Sequence, residues 1–421
     1  MKRIDAVIVG AGQAGLAASY YLCEQGREHI VFEQGRIGES WLSQRWESFR
    51  LNTLNSMNAL PGMPYDGPEP GSFSSAHDLA GYFQRYVERF QLPVQTDTAV
   101  VSIEQAENGK DFIVSTVTGG RAQEPLLCRC VVIASGVQRT PRLPALRSQI
   151  PTRIAQLHSS EYRNPAALPP GSVLVVGSGQ SGCQIVEDLL SAGRTVYLST
   201  SKVARVPRRY RGRDILDWWI DTGFLDVTYD SLTDKSISLL AQPQISGLAP
   251  QGHTVSLQHL SRQGAVILGR LLSAEGDNLL LSDEAAAHVQ FADAFSDRIK
   301  GMIDAYIEQT GIAAPANDDD PADASDPDAA CVSPLRQLNL AASKLGSIIW
   351  ATGFAGDFGW IHLPALDAAG KPLHQRGVSP VPGLYFIGLP WLYMRKSGIT
   401  YGVGEDARYI ADAIAARLVQ T

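Results

Sequence analysis

The chain has 421 residues, 44% hydrophobic and 19% charged, with a formal net charge of −7. That length allows two or three domains with a large buried core. The acidic balance speaks against a nucleic-acid binder, which would carry a basic field, and no apolar run approaches the ~20 residues that span a bilayer.

The opening MKRIDAVIVG is apolar for only a few positions before glycines begin, which predicts a first strand over residues 4–9 and no signal peptide. Gly10, Gly12 and Gly15 follow in G-x-G-x-x-G spacing. An alanine-rich helix comes next and stops at Gly26, and a second strand ends in Glu33. Strand, glycine turn, helix and a terminal acid together predict a dinucleotide site. The first glycine allows the tight turn, the second lets a pyrophosphate approach the backbone, and the third lets helix and strand pack closely. Glu33 would accept from ribose hydroxyls.

Ser74 or Ser75 caps an amphipathic helix in FSSAHDLAGYFQRYVERFQL. Three strands follow, in VQTDTAVVSIEQ, KDFIVSTVT and EPLLCRCVVIAS. Cys128 and Cys130 fall in the last of these and read as small buried side chains. With Cys23, Cys183 and Cys331 they form a scattered, odd-numbered set suited to a reducing cytoplasm, and no cluster has metal-ligand spacing. The proline-rich stretch 138–151 reads as a linker, with a return crossing expected near 340–350.

The glycine pattern then recurs. SVLVV is followed by Gly177, Gly179 and Gly182, a helix, and the strand TVYLSTS. No acid ends this copy. Ser199, Thr200, Ser201 and Lys202 stand there, with Arg205, Arg208 and Arg209 beyond. Hydroxyls and cations would accept a 2′-phosphate that an acid would repel, so this copy reads as an NADP site, and the first as a site for FAD. VVIASG (131–136) and SIIWATG (347–353) echo each other as strands ending in small-residue turns. They would bring Ser135 and Gly136, and Thr352 and Gly353, close to the bound dinucleotides. The acidic stretch 316–330 reads as an exposed flexible loop without calcium-loop spacing. The last segment reads as a strand, a loop and a terminal helix starting near Gly404 and Glu405.

The fold class expected is α/β: two Rossmann-like dinucleotide-binding domains, each a three-layer arrangement around a parallel sheet, with the NADP domain inserted into the FAD domain. Residues 1–145 and 346–421 would form the FAD domain. Residues 146–345 would form the NADPH domain, carrying a substrate-side insertion over about 210–345.

The ordered set GAGQAG, GESW (38–41), LNTLNSMNALPG (51–62), GSGQSG, ATGF (351–354) and GLYFIGLPW resembles the flavin-containing monooxygenase superfamily, in particular CzcO-type bacterial and YUCCA-like members. A signature of that family, F-x-G-x-x-x-H-x-x-x-(Y/F), is half present in TRIAQLHSSEY. His158 and Tyr162 match, whereas Thr152 and Ile154 replace the Phe and Gly. His158 is expected to hold the interdomain linker and not to transfer protons.

The resemblance implies FAD and NADPH as cofactors, and a small apolar or aromatic substrate oxygenated with O2 through a flavin C4a-(hydro)peroxide, at nitrogen, sulfur, carbon or a carbonyl. It implies Asn52 as the catalytic-site amide beside flavin and nicotinamide, Glu33 on the FAD ribose, and Trp41 and Trp46 near the flavin. It adds Gln13, Ala14, Gln34, Arg45, Gln180, Ser181, Gly388 and Leu389 to the cofactor-binding set. A cytoplasmic enzyme is expected, with which a homodimer is compatible. Two other activities share the two-nucleotide plan: a reductase passing electrons to a partner, and a non-catalytic flavoprotein. Trp218, Trp219, Trp360 and Trp391 read as core or as an aromatic pocket, and Arg395 and Lys396 as substrate-facing or solvated cations.

Overall fold

The computed structural model describes residues 3–316 and 319–420. Two sheets organise the chain. In the first, Val94–Gln95, His29–Phe32, Arg3–Val9 and Leu126–Ile133 run parallel in that spatial order, and Phe112–Thr118 and Thr98–Gln105 add an antiparallel hairpin beyond them. Leu126–Ile133 serves two neighbours on one edge. Its first residues pair with the hairpin, and its last pair parallel with Leu384–Phe386. The C-terminal segment therefore returns to the sheet begun by the N-terminus. The helix Gln13–Glu24 packs against the terminal helix Thr400–Gln420, and their apolar faces share one core. That terminal helix starts several residues before the expected Gly404.

The second sheet is wholly parallel, in the order Val266–Leu268, Val196–Ser199, Ser172–Val176, Leu345–Trp350, Ala155–His158. Its near-continuous apolar strands are buried on both faces, as parallel strands require. Leu345–Trp350 belongs here, and this corrects the expected domain return at residue 346. The return comes after the strand, where Phe354–Ala355 pairs antiparallel with Thr140–Pro141. The outgoing and incoming crossings thus lie side by side.

A third core joins Ile215–Asp221 and the long helix Ala285–Thr310 to Leu54, Met57 and Phe73 of the first domain. Trp218 and Trp219 sit in it, so their core reading holds. The stretch 319–330 is not a free acidic loop. Asp323 accepts from Arg205 and Lys300, and Asp326 accepts from the Ala330 and Cys331 amides. A buried guanidinium needs counter-charge, and this segment supplies it. Among the described residues, no helix is long and apolar enough to cross a membrane.

Candidate functional site: two glycine turns and the cavity between the domains

The two glycine turns are near-copies in space. Gly10 has φ +107°, and a Cβ there would lie 2.6 Å from the Ala134 carbonyl oxygen. Gly177 has φ +108°, and a Cβ there would lie 2.5 Å from the Ala351 carbonyl oxygen. Both are left-handed positions that a side chain would strain. Gly15 and Gly182 bring each helix onto its own turn, with a Cβ at either only 1.9 Å from the carbonyl oxygen of Gly10 or Gly177. Gly12 and Gly179, which cap the two helices, face open space, the room a diphosphate needs beside the exposed amides. Ala134 and Ala351 are the strand ends predicted as echoes, and Ser135, Gly136, Thr352 and Gly353 follow them.

The turns differ where the sequence says they should. At the first, Glu33 ends its strand nine-tenths buried. Its carboxylate accepts from the Ala11 amide at 2.8 Å and the Gly35 amide at 3.0 Å, which aims it across the turn. The buried hydroxyl of Ser135 has no partner within the protein. An acid on the ribose side, an unpartnered hydroxyl and an open helix cap fit FAD. Gln13 donates to the Gly398 carbonyl at 3.1 Å, and Gly388 packs on Ala14 so closely that a Cβ would clash, tying the 388–398 loop to this turn. Leu389 is buried in the first core. Gln34 accepts from Arg139 beside the crossing.

At the second turn, Ser199 donates to the Gly269 carbonyl and Thr200 to the Leu268 carbonyl, so both hydroxyls face inward. The Ser178 hydroxyl clips Ser201, accepting from its amide and donating to its carbonyl. Ser201 remains on the cavity wall, and the Lys202 ammonium lies 4.7 Å from the Phe291 ring centroid.

Arg205 is not a phosphate ligand, and this corrects the expectation from the basic run. It is fully buried, donates to Asp293 at 2.8 Å and pairs with Asp323. Arg208 is equally buried on Asp214, and Arg209 donates to the Gln251 and Gly252 carbonyls. Spacing along the chain could not show that Arg205 and Arg208 are consumed by fixed acids and Arg209 by backbone carbonyls. Arg270 was missed. It follows the strand Val266–Leu268 and lines the cavity with Ser199, Thr200 and Ser201.

That cavity, about 780 Å³, lies between the domains. One wall is Gly177, Gly179, Gln180, Ser181 and Gly182. The opposite wall is the first domain's segment with Trp41, Arg45, Trp46 and Asn52, and the floor includes Thr352 and Gly353. Among the described residues, no cysteine lines it. Gln180 accepts from the Ile245 amide and donates to the Ser246 carbonyl, so its side chain braces the turn. The Arg45 guanidinium lies 5.0 Å from the Trp41 ring centroid, and desolvation lowers its pKa to about 10, which still leaves it charged at neutral pH. Trp46 lines the cavity but packs into the second domain's core, edge-on to Phe49.

Asn52 is placed from both sides. The Leu51 amide donates to the Ser74 carbonyl, and Arg208 of the other domain donates to the Asn52 carbonyl at 2.9 Å. The helix Ala76–Phe90, with a Ser75–Asp78 capping box, fixes the rest of that loop. Tyr82 accepts from the Leu60 amide and donates to the Met63 carbonyl. His158 is fully buried, and its Nε2 lies 3.0 Å from the Gly353 carbonyl, so Nε2 carries the proton. Burial lowers its pKa and keeps the ring neutral. It fastens the crossing, as expected. Tyr162 donates to Asp188 at 2.6 Å. Arg395 is sandwiched between Phe224 and Trp391, and Lys396 pairs with Asp226 and Glu405, so neither is a free cation.

Such a pair of turns is the plan of a two-dinucleotide oxidoreductase. Residues 7–259 match the pyridine nucleotide-disulphide oxidoreductase family. The chain belongs to that family, and the kinship with flavin-containing monooxygenases expected from its motifs is met. The uncharacterized oxidoreductase CzcO-like of Geobacillus kaustophilus is 33% identical over 98% of both chains. The probable indole-3-pyruvate monooxygenase YUCCA10 of Arabidopsis thaliana is 31% identical over 50% of this chain and 54% of its own. The flavin-containing monooxygenase from Stenotrophomonas maltophilia shares the fold, with TM-score 0.63 and 18% identity over 99% of this chain and 100% of its own.

Proposed function

We propose that this protein is an FAD- and NADPH-dependent monooxygenase that transfers one oxygen atom of O2 to a small apolar or aromatic substrate. The observation that carries the reading is the cysteine-free cavity, walled on one side by the NADP turn and on the other by the Trp41–Asn52 segment. A disulfide reductase of the CxxC kind is disfavoured, since the sequence holds no Cys-x-x-Cys pair. The five free cysteines suit a reducing cytoplasm.

Bound FAD would supply the redox and oxygen-activating chemistry. The chain's own residues do the rest. Gly177, Gly179 and Gly182 seat the NADPH diphosphate at a helix N-terminus, and Ser201, Lys202 and Arg270 take the 2′-phosphate. Asn52 offers an amide that holds flavin and nicotinamide by hydrogen bonds without titrating, so the site stays neutral across working pH. Trp41, Phe49, Trp350 and Phe354 present aromatic surface around the cavity, which excludes water and favours a flat apolar substrate. YUCCA relatives bear the name of an indole-ring substrate, so indole-bearing 2-oxo acids and aromatic amines are the first compounds to try.

The test is turnover with NADPH under labelled oxygen. One labelled atom should enter the product for each NADPH consumed. Release of hydrogen peroxide matching NADPH consumption with every candidate substrate would overturn the proposal.

A further inference from the structure

Outside the coenzyme cavity, three side chains of metal-ligating type converge from three segments. Glu187 lies on the helix that starts at the second glycine turn, His253 on the loop after it, and His259 on the helix Leu257–Arg262. Their ligand atoms all lie within 4.8 Å of one another. We propose that Glu187, His253 and His259 form a binding site for one borderline divalent cation of the Zn2+ type, apart from the flavin chemistry.

The donor set suits such a cation. Two imidazoles and one carboxylate match the ligands zinc prefers, and a fourth position stays open to water. In a tetrahedral site, donors ~2.0–2.1 Å from zinc sit roughly 3.3 Å apart, so a pair at the 4.8 Å limit needs to close by about 1.5 Å. His253 and His259 are partly exposed and free to do so, whereas Glu187 is buried and fixed. Its Oε1 lies 2.6 Å from His253 Nε2, and its Oε2 accepts from the Leu248 amide at 3.0 Å. That second bond leaves one oxygen aimed at the rings. The Gln263 amide lies 2.9 Å from His259 Nε2, and turning its carbonyl oxygen to that nitrogen would let it accept the ring N–H and free Nδ1 for the metal. Gly247 has no side chain where a Cβ would fall 2.0 Å from His253 Nε2. The backbone is therefore drawn in tightly beside the cluster. Asp320 adds negative charge near both rings, and Arg262 opposes it at His259.

The cation would do mechanical work. Gln180, Gln184 and Glu187, spaced along one helix, already hold the segment 245–248 by hydrogen bonds. Binding would replace the proton shared by Glu187 and His253 with a metal. It would lock that segment onto the helix that carries the NADP turn.

The experiment uses the FAD-loaded protein, stripped with EDTA and titrated with ZnCl2 at pH 8 by calorimetry and metal analysis. One Zn2+ per chain should bind, with a rise in melting temperature. His253→Ala and His259→Gln should each weaken binding at least tenfold and abolish the thermal shift, with bound FAD unchanged. No stoichiometric uptake by the wild-type protein overturns the proposal. So does uptake that survives both substitutions. Neither result bears on the monooxygenase reading, which labelled-oxygen incorporation tests separately.

Discussion

Gly177 carries the sharpest demand in the second turn, because a methyl group there would meet both a left-handed backbone and the Ala351 carbonyl. Gly177→Ala should raise KM for NADPH at least tenfold while leaving FAD content at one per chain, since the first turn is a separate structure; KM measurement and flavin absorbance check both halves. At Arg205 a substitution should cost stability and not recognition. Arg205→Met leaves Asp293 buried without its cation and Asp323 with Lys300 alone, which costs about 3–5 kcal/mol in a denaturant titration. The preference of the surviving folded protein for NADPH over NADH should not change. Arg270→Ala and Lys202→Ala should show the reverse: little loss of stability, and a fall in that preference of roughly tenfold for ~1.4 kcal/mol of lost phosphate contact. An unchanged preference in both would return the 2′-phosphate to other residues.

At the scale of elements, the paired crossings matter most. Thr140–Pro141 and Phe354–Ala355 lie side by side, and His158 ties the second sheet to the Gly353 carbonyl. His158→Ala should cost about 1–3 kcal/mol, because a fully buried ring and one of the two donors to the Gly353 carbonyl are lost, read as a shift in urea midpoint. The terminal helix predicts a pH effect. Burial raises the Asp406 pKa from 3.8 to about 6. The native state then holds more protons than the unfolded chain between those values, so stability falls as pH rises from about 4 to 6. Asp406→Asn should flatten that slope. The Glu187 carboxylate raises His253, whose contribution is fully present below the ordinary histidine value and is lost as pH rises through the higher folded one. Urea midpoints from pH 4 to 9 separate the two.

Across the whole molecule, the two-domain plan was legible because each glycine pattern sat between a strand and a helix, where local sequence dictates the turn. The strand partners of those turns were legible too, since Ala134 and Ala351 end apolar runs. What could not be read was pairing over long separations. Arg205 meets Asp293 and Asp323 across 88 and 118 residues, so a basic run and an acidic run, each read as solvated or ligand-facing, neutralise one another in the interior. For the same reason Leu345–Trp350 looked like the first domain's strand, although its neighbours are Ser172–Val176 and Ala155–His158.

On the proposed reading, hydride passes from NADPH on the second turn to flavin on the first. Anaerobic stopped-flow mixing of the FAD-loaded protein with NADPH tests it most directly. The flavin band should bleach at a rate that saturates with NADPH, and that in Gly177→Ala saturates only at much higher concentrations. A protein that takes up no FAD, or a flavin whose reduction does not depend on NADPH concentration, would contradict it.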